Sequence, residues 1–102
     1  MAGRTPMVEA ITLIKEDGTR AEKLATLRSI GLSEFYQAAA TDYRPEMKFI
    51  LSDYYDYDGE PYLLWSGELY RIIRTYRAGQ EMELTVGKAS AEEREIYGKA
   101  GD

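Results

Sequence analysis

The stretch from Trp65 to Val86 constrains the fold of this chain more than any other part of the sequence. It reads WSGELYRIIRTYRAGQEMELTV, in which aromatic and basic residues are interleaved with β-branched ones. Aromatic and β-branched residues favour strands, and a glycine between two such runs favours a tight connection. The pattern predicts a long β-hairpin connected through Ala78-Gly79-Gln80, and hence an antiparallel sheet.

The apolar pattern of this hairpin also predicts its register. A three-residue connection gives one mostly apolar face and one polar ladder of opposite charges. The expected apolar face pairs Tyr76 with Met82, Arg74 with Leu84 and Ile72 with Val86, and the polar face pairs Arg77 with Glu81 and Thr75 with Glu83. A shift by one residue would mix the faces. Arg74, the charged member of the apolar face, is expected at the sheet rim or against a buried acid.

Composition restricts the class of protein further. A chain of 102 residues forms one domain with its own core, and it has neither cysteine nor histidine, which removes disulfides, the commonest metal ligand and the usual general base. No apolar run approaches the ~20 residues of a membrane span, and residues 1–6 read as a loose arm rather than a signal peptide. We expect a soluble intracellular protein.

Shorter apolar runs predict the other strands. Residues 7–15 and 20–29 are expected to form two strands joined by a turn at Asp17-Gly18, although 20–29 would also tolerate a helix. A strand over 46–53 and a short strand over 61–65 precede the long hairpin.

One helix is expected between these strands and a second at the end of the chain. Ser33 can cap two turns over 34–40, with Phe35, Ala38 and Ala39 facing inward. Ser90 and Glu93 have capping-box spacing, so residues 89–102 read as a short terminal helix or a frayed tail. Because this end carries little besides Ile96 and Tyr97 to bury, we expect it to be frayed or ordered only against a partner.

Together these elements predict a mainly β fold. About six strands with one short inserted helix suggest a small, curved antiparallel sheet or barrel that uses residues 1–102 as a single domain.

A loop made almost entirely of acid and tyrosine precedes the hairpin: Asp53, Tyr54, Tyr55, Asp56, Tyr57, Asp58 and Glu60. It fails as an EF-hand, because placing Gly59 at the sixth position leaves both terminal oxygen ligands missing. A loose surface calcium site is one alternative. The favoured interpretation is a solvated turn that keeps a sheet edge from pairing, or an acidic contact surface without a metal.

The sequence contains none of the common catalytic motifs. The chain has no glycine-rich phosphate loop and no nucleophile elbow, and its composition excludes Ser–His and Cys–His chemistry. Paired carboxylates would need a pocket that nothing in the pattern predicts. We expect no catalytic residues, no cofactor and no enzymatic activity.

The hairpin carries a second candidate contact surface, made of arginines and tyrosines: Arg71, Arg74, Arg77, Tyr70 and Tyr76. Such a set is similar to the basic-aromatic faces that bind single-stranded nucleic acid. Glu81 and Glu83 on the partner strand neutralise it, however, and the net charge of −5 repels phosphate. We favour a structural ladder that takes part in a subunit or partner interface, for which tyrosine is well suited.

Five pieces of the sequence carry a resemblance to a known family: ITLIK (11–15), SEFYQAA (33–39), RPEMKF (44–49), WSGELYRIIRTY (65–76) and ELTV (83–86). In this order and spacing, which spans about residues 8–88, they resemble the head-closure proteins of long-tailed phages and prophages. These proteins are also called head–tail joining or stopper proteins. The residues after Lys88 lie outside the resemblance.

This resemblance implies a small β-barrel with one short helix, assembled in the bacterial host cytoplasm into the virion. Its copies would form a ring, usually of about twelve, beneath the portal and adaptor proteins. The ring would close the channel that holds the packaged DNA and dock the tail through a tail terminator or tail completion protein, with no membrane contact.

By position, the loop that closes the channel is either the helix-bearing segment 30–45 or the acidic turn 53–60. We favour 53–60 for the lumen, because carboxylates there would repel DNA phosphates. Ring subunits need two different complementary patches, and the hairpin arginines and the acidic loop are candidates. The alternatives are a small nucleic-acid-binding β-barrel or another neck or tail component, such as a tail terminator.

Overall fold

The computed structural model describes residues 7–30 and 44–98. These residues form six strands, β1 (Val8–Ile14), β2 (Arg20–Ser29), β3 (Met47–Leu51), β4 (Tyr62–Trp65), β5 (Glu68–Ala78) and β6 (Glu81–Lys88). A short 3-10 helix spans Tyr54–Asp56, and helix α1 spans Ala91–Tyr97. The arm over 1–6 and the helix expected over 34–40 lie outside the described residues.

The strands close into an antiparallel barrel in the order β1-β2-β3-β6-β5-β4. The short strand β4 makes the closure, since its Leu63 lies opposite Leu13 of β1 on one side and Tyr70 of β5 on the other. Closing a sheet in this way gives every strand a hydrogen-bonded neighbour on both sides. The predicted mainly β fold is confirmed, and residues 20–29 adopt the strand rather than the helix alternative.

The barrel interior is filled by the inward-facing set of each strand. Phe49 is fully buried there and meets the indole of Trp65 edge to face, with ring centroids 5.5 Å apart. Burying one large aliphatic or aromatic side chain contributes about 1.5–3 kcal/mol, so this layer supplies most of the driving force for folding. The fully buried members are Ile11, Leu13, Phe49, Leu51, Leu63, Leu84 and Val86.

A second apolar cluster lies on the outside of the barrel wall, beneath helix α1. It consists of Ile14, Tyr62, Leu64, Leu69 and Ala89, and Tyr97 of α1 packs against it. The ring of Tyr97 stacks on Tyr62 with centroids 4.4 Å apart, and its hydroxyl donates to the Glu16 carbonyl at 2.8 Å. This stack fixes α1 to the barrel of its own chain.

Helix α1 confirms the predicted terminal helix over residues 91–97 and is not frayed there, while residues 99–102 of the expected tail lie outside the described residues. The capping box is complete, because the Ser90 hydroxyl accepts from the Glu93 amide at 3.1 Å and the Glu93 carboxylate accepts from the Ser90 amide at 2.9 Å. The expectation that the helix orders only against a partner is wrong, since the barrel supplies the partners. Ile96 is exposed, so of these two apolar side chains only Tyr97 packs against the barrel.

The hairpin register matches the prediction at its base and is one residue off at its tip. Ile72 lies opposite Val86 as expected, but a β-bulge at Ile73 shifts the distal pairs so that Tyr76 faces Glu83. The tip is a two-residue turn in which Gly79 has a φ of +64°, as a type II′ turn requires. The remaining distal pairs are Arg74–Thr85, Thr75–Leu84, Arg77–Met82 and Ala78–Glu81.

The predicted register is wrong at the tip because it assumed that one face of the hairpin is buried there. Residues 74–77 are exposed, so mixing apolar and polar pairs there costs little burial. The turn at Gly79 and the bulge decide the pairing instead. Arg74 accordingly lies at an exposed position of the hairpin rather than on an apolar face.

Candidate functional site

The acidic loop is docked on the tip of the long hairpin. Asp53 caps the 3-10 helix by accepting from the Tyr55 amide at 2.9 Å, and its carboxylate also accepts from the Gln80 side-chain amide at 3.1 Å. The Tyr54 amide donates to the Gln80 carbonyl at 2.8 Å. The loop is therefore a built part of one barrel end rather than a free projection.

The carboxylates of the loop are engaged by the chain's own lysines. Asp58 lies 2.7 Å from Lys15 and Asp56 lies 3.6 Å from Lys23. The hydrogen bond from Lys15 holds the pKa of Asp58 below its ordinary value, and the same bond raises the pKa of Lys15. Asp58 stays exposed, as expected for a solvated turn, and both lysine partners come from distant positions in the sequence, Lys15 just after β1 and Lys23 in β2.

Glu60 is also part of the structure. Its side chain is buried and accepts from the Asp58 amide at 2.7 Å, while its carbonyl accepts from the Tyr57 hydroxyl at 2.7 Å. Tyr57 is half-buried against the core, and burial raises the pKa of its phenol. Within the loop, Tyr55 is left as the exposed aromatic side chain.

The loop carboxylates do not converge on a common point. Each has a separate partner, and over residues 7–30 and 44–98 no group of three or more His, Cys, Asp or Glu side chains could hold a metal ion. In the same residues no helix is long and apolar enough to cross a membrane.

Two of the five hairpin residues proposed for an interface are structural. Tyr70 is 6% exposed and packs in the barrel core, where burial raises its pKa, so its assignment to a contact surface is wrong. The Arg71 guanidinium lies 3.2 Å from the Glu93 carboxylate and donates to the Tyr62 hydroxyl at 3.0 Å. Arg71 thus ties β5 to helix α1.

A third member, Arg77, holds the acidic loop. Its guanidinium lies 3.5 Å from the centroid of the Tyr54 ring, and its Nε donates to the Gly79 carbonyl at 3.1 Å. The hairpin and the acidic loop therefore meet within one subunit. That contact argues against the two as separate, complementary halves of a ring interface.

Arg74 and Tyr76 remain on the surface of the hairpin. Tyr76 is 60% exposed and stands opposite Glu83, which pairs with Lys48 at 3.3 Å. The mixture of charges at this end does not form the continuous basic groove that single-stranded nucleic acid requires.

The structure adds a surface that the sequence reasoning missed. Leu24 on β2 is 67% exposed and Val8 on β1 is 56% exposed, on the outer wall of the barrel. A signal was present in the sequence, since Leu24 falls among charged residues in the alternating pattern of 20–29. A single apolar side chain at an exposed strand position is ordinary, and only a contiguous patch of them would indicate a contact surface.

These features define a class of protein by architecture: a closed six-stranded antiparallel β-barrel with one short helix docked on its outer wall. Neither a protein-family model nor a curated protein sequence matches the chain.

Proposed function

We propose that this protein is a structural component of a phage head–tail connector. In this proposal its copies form a ring under the portal and adaptor proteins, close the channel of the DNA-filled head and dock the tail. The observation that carries the proposal is the closed six-stranded barrel, because the resemblance to head-closure proteins implies a small β-barrel. The order of the five matching sequence pieces supports it as well.

The acidic turn 53–60 is proposed to face the channel. Its anchors on Lys15, Lys23 and Gln80 suit a loop that must keep its shape while DNA passes. The four carboxylates of the loop, set against the two lysines, leave two negative charges, which still repel phosphate but less than a bare loop would. The repulsion between the loop and DNA phosphates therefore still favours placing the loop in the channel, although the repulsion is weaker than for a loop without lysine partners.

Deletion of the gene from its phage or prophage genome tests the proposal. After induction we expect DNA-filled heads that lose their DNA and complete tails that stay detached, with infectivity restored by the gene supplied in trans. Infectious tailed particles from the deletion strain would contradict the proposal. Tails of irregular length on stable heads would instead identify a tail terminator.

A titration with single-stranded DNA separates the nucleic-acid-binding alternative. The purified protein at low salt is expected to bind weakly or not at all, because its net charge is −5 and the Arg71 guanidinium is paired with Glu93. Tight binding that weakens steeply with added salt would favour the alternative.

A further inference from the structure

An open cleft of about 400 Å³ lies between the end of helix α1 and the turn that joins β1 to β2. Ile96 and Tyr97 line it from the helix, Glu16 and Asp17 line it from the turn, and Ile14 at the end of β1 lines it as well. Ligand sites in proteins occupy about 300–1,000 Å³, so this cleft has room for a side chain from another molecule.

Ile96 gives the cleft an exposed apolar side. Its side chain is 67% exposed, whereas the neighbouring Tyr97 packs on the barrel and Ile14 is completely buried. An occupant of the cleft would therefore cover Ile96 and remove apolar surface from water, which favours binding. Apolar contact alone is compatible with many occupants, so the charges around the cleft decide which chemistry it accepts.

The charged groups around the cleft are mostly acidic. The Asp17 carboxylate accepts from the Thr19 amide at 2.9 Å, and this bond holds the pKa of Asp17 below its ordinary value. Glu16 is exposed beside it, and the exposed Glu92 lies one helical turn before Ile96 on the same side of α1. In the described part of the chain, no lysine or arginine forms an ion pair with any of these three carboxylates.

Among the described residues that line the cleft, Arg20 is the basic one, and it is engaged within the chain. Its guanidinium donates to the Tyr97 carbonyl at 3.0 Å, at the C-terminal end of α1. The exposed carbonyls at this end of a helix carry partial negative charge and favour cations. Set against the three carboxylates, the one guanidinium leaves two negative charges around the cleft, which therefore attracts a further cation.

We propose that this cleft is the docking site for a basic segment of a partner protein, which enters it with a lysine or arginine side chain. The methylene stem of that side chain covers Ile96, and its cationic head reaches Glu16 and Asp17. Lysine and arginine combine an apolar stem with a charged head, which matches the apolar and acidic sides of the cleft. A metal ion does not fit, because the described residues offer no group of three ligating side chains.

The inference goes beyond the proposed connector function and does not depend on it. In a connector, the basic segment would belong to a neighbouring protein of the neck, but the chemistry of the cleft is the same in any assembly. Exposed ion pairs contribute little each and are screened by salt, so an isolated peptide is expected to bind weakly. Nuclear magnetic resonance measures such weak binding and also locates it on the protein.

Titration of the isotope-labelled protein with the peptide amide acetyl-Lys-Gly-Lys at low salt tests the proposal. The amide signals of Gly18, Ile96 and Tyr97 are expected to shift together, and the affinity is expected to fall as salt is added. The matched probe is the same peptide with both lysine amines acetylated, which keeps the stems and removes the charges. It is expected to cause no shifts, and shifts equal to those of the charged peptide would overturn the proposal.

Two double variants of equal net charge separate the cleft from a general attraction to an acidic protein. Glu16→Gln/Asp17→Asn is expected to weaken binding of the charged peptide about five-fold, and Ile96→Ser about three-fold. The control Glu46→Gln/Glu81→Gln removes two exposed carboxylates elsewhere and should change the affinity by less than about two-fold. Thermal unfolding checks that each variant is folded. Equal losses in the two double variants, an unchanged affinity in Ile96→Ser, or shifts confined to the acidic loop would overturn the proposed site.

Discussion

The guanidinium of Arg77 lies over the ring of Tyr54 with its carbon 3.5 Å from the ring centroid. This contact joins the tip of the β5–β6 hairpin to the acidic loop, and the backbone bond from Tyr54 to the Gln80 carbonyl reinforces it. Residues that read in the sequence as two separate recognition surfaces are one packed end of the barrel.

The Arg77–Tyr54 contact is expected to stabilise the fold by about 0.5–1 kcal/mol, as exposed cation–π pairs do. Urea unfolding of Arg77→Ala, Tyr54→Leu and the double variant gives the coupling energy. The two single losses should exceed the double loss by that amount. Strictly additive losses would show that the two groups are neighbours without interacting.

Glu93 is expected to be the residue on which the docking of α1 depends. Its carboxylate accepts from the Ser90 amide, the Tyr62 hydroxyl and Arg71. Glu93→Ala should lower the free energy of unfolding by about 1–3 kcal/mol and reduce helical circular dichroism, because it leaves partly buried donors unsatisfied. Glu95→Ala, at an exposed position of the same helix, should change stability by less than about 0.5 kcal/mol. Equal effects of the two substitutions would contradict the role of Glu93.

High pH is expected to destabilise the protein through Tyr62. Burial and the hydrogen bond to Glu93 raise its pKa to about 12, whereas the unfolded chain ionises near the ordinary value of 10.0. The folded state therefore holds the proton longer, so its stabilisation is complete below pH 10 and is lost as the pH rises toward about 12.

Absorbance titration of the phenolates measures this effect. Tyr62→Phe should remove the latest ionisation step, and Tyr76→Phe, at an exposed site, should leave that step in place. A Tyr62→Phe variant whose latest step is unchanged would show that Tyr62 is not the group responsible.

Gly87 is expected to tolerate no side chain. A Cβ at this position in β6 would overlap the carbonyl oxygen of Arg44 and come within 2.9 Å of Ile73 Cδ1. Because the first obstacle is backbone, Gly87→Ala should cost about 1–3 kcal/mol, as overpacking does. Lys88→Ala, at the exposed neighbouring position, serves as the control in the same urea unfolding series. A near-neutral Gly87→Ala would mean that the Arg44 segment moves away freely.

The strands could be predicted from the sequence because their signals are local. Alternation in residues 46–53, the Asp17-Gly18 turn and the long hairpin are patterns that a few neighbouring residues define. Closure of the barrel depends on β4 pairing with β1 about fifty residues away, and no local pattern chooses between a curved sheet and a barrel. The sequence accordingly left both alternatives open.

The contact surfaces were predicted less well, for a different reason. Composition marked Asp56, Asp58 and Arg71 as available charges, but the fold brings Lys23, Lys15 and Glu93 to them from distant positions. Tyr70 read as a surface aromatic, although its place on the inward face of β5 buries it. Which charged side chains contact one another within the chain is decided by how the strands pair in the closed barrel, and a local sequence pattern does not contain that information.

A three-dimensional reconstruction of the neck of the phage particle tests the central claim most directly. The account predicts a ring of six-stranded barrels between the adaptor and the tail, with residues 53–60 of each copy toward the channel. A reconstruction in which the neck ring is made of other proteins and this polypeptide is absent from the particle would contradict the account.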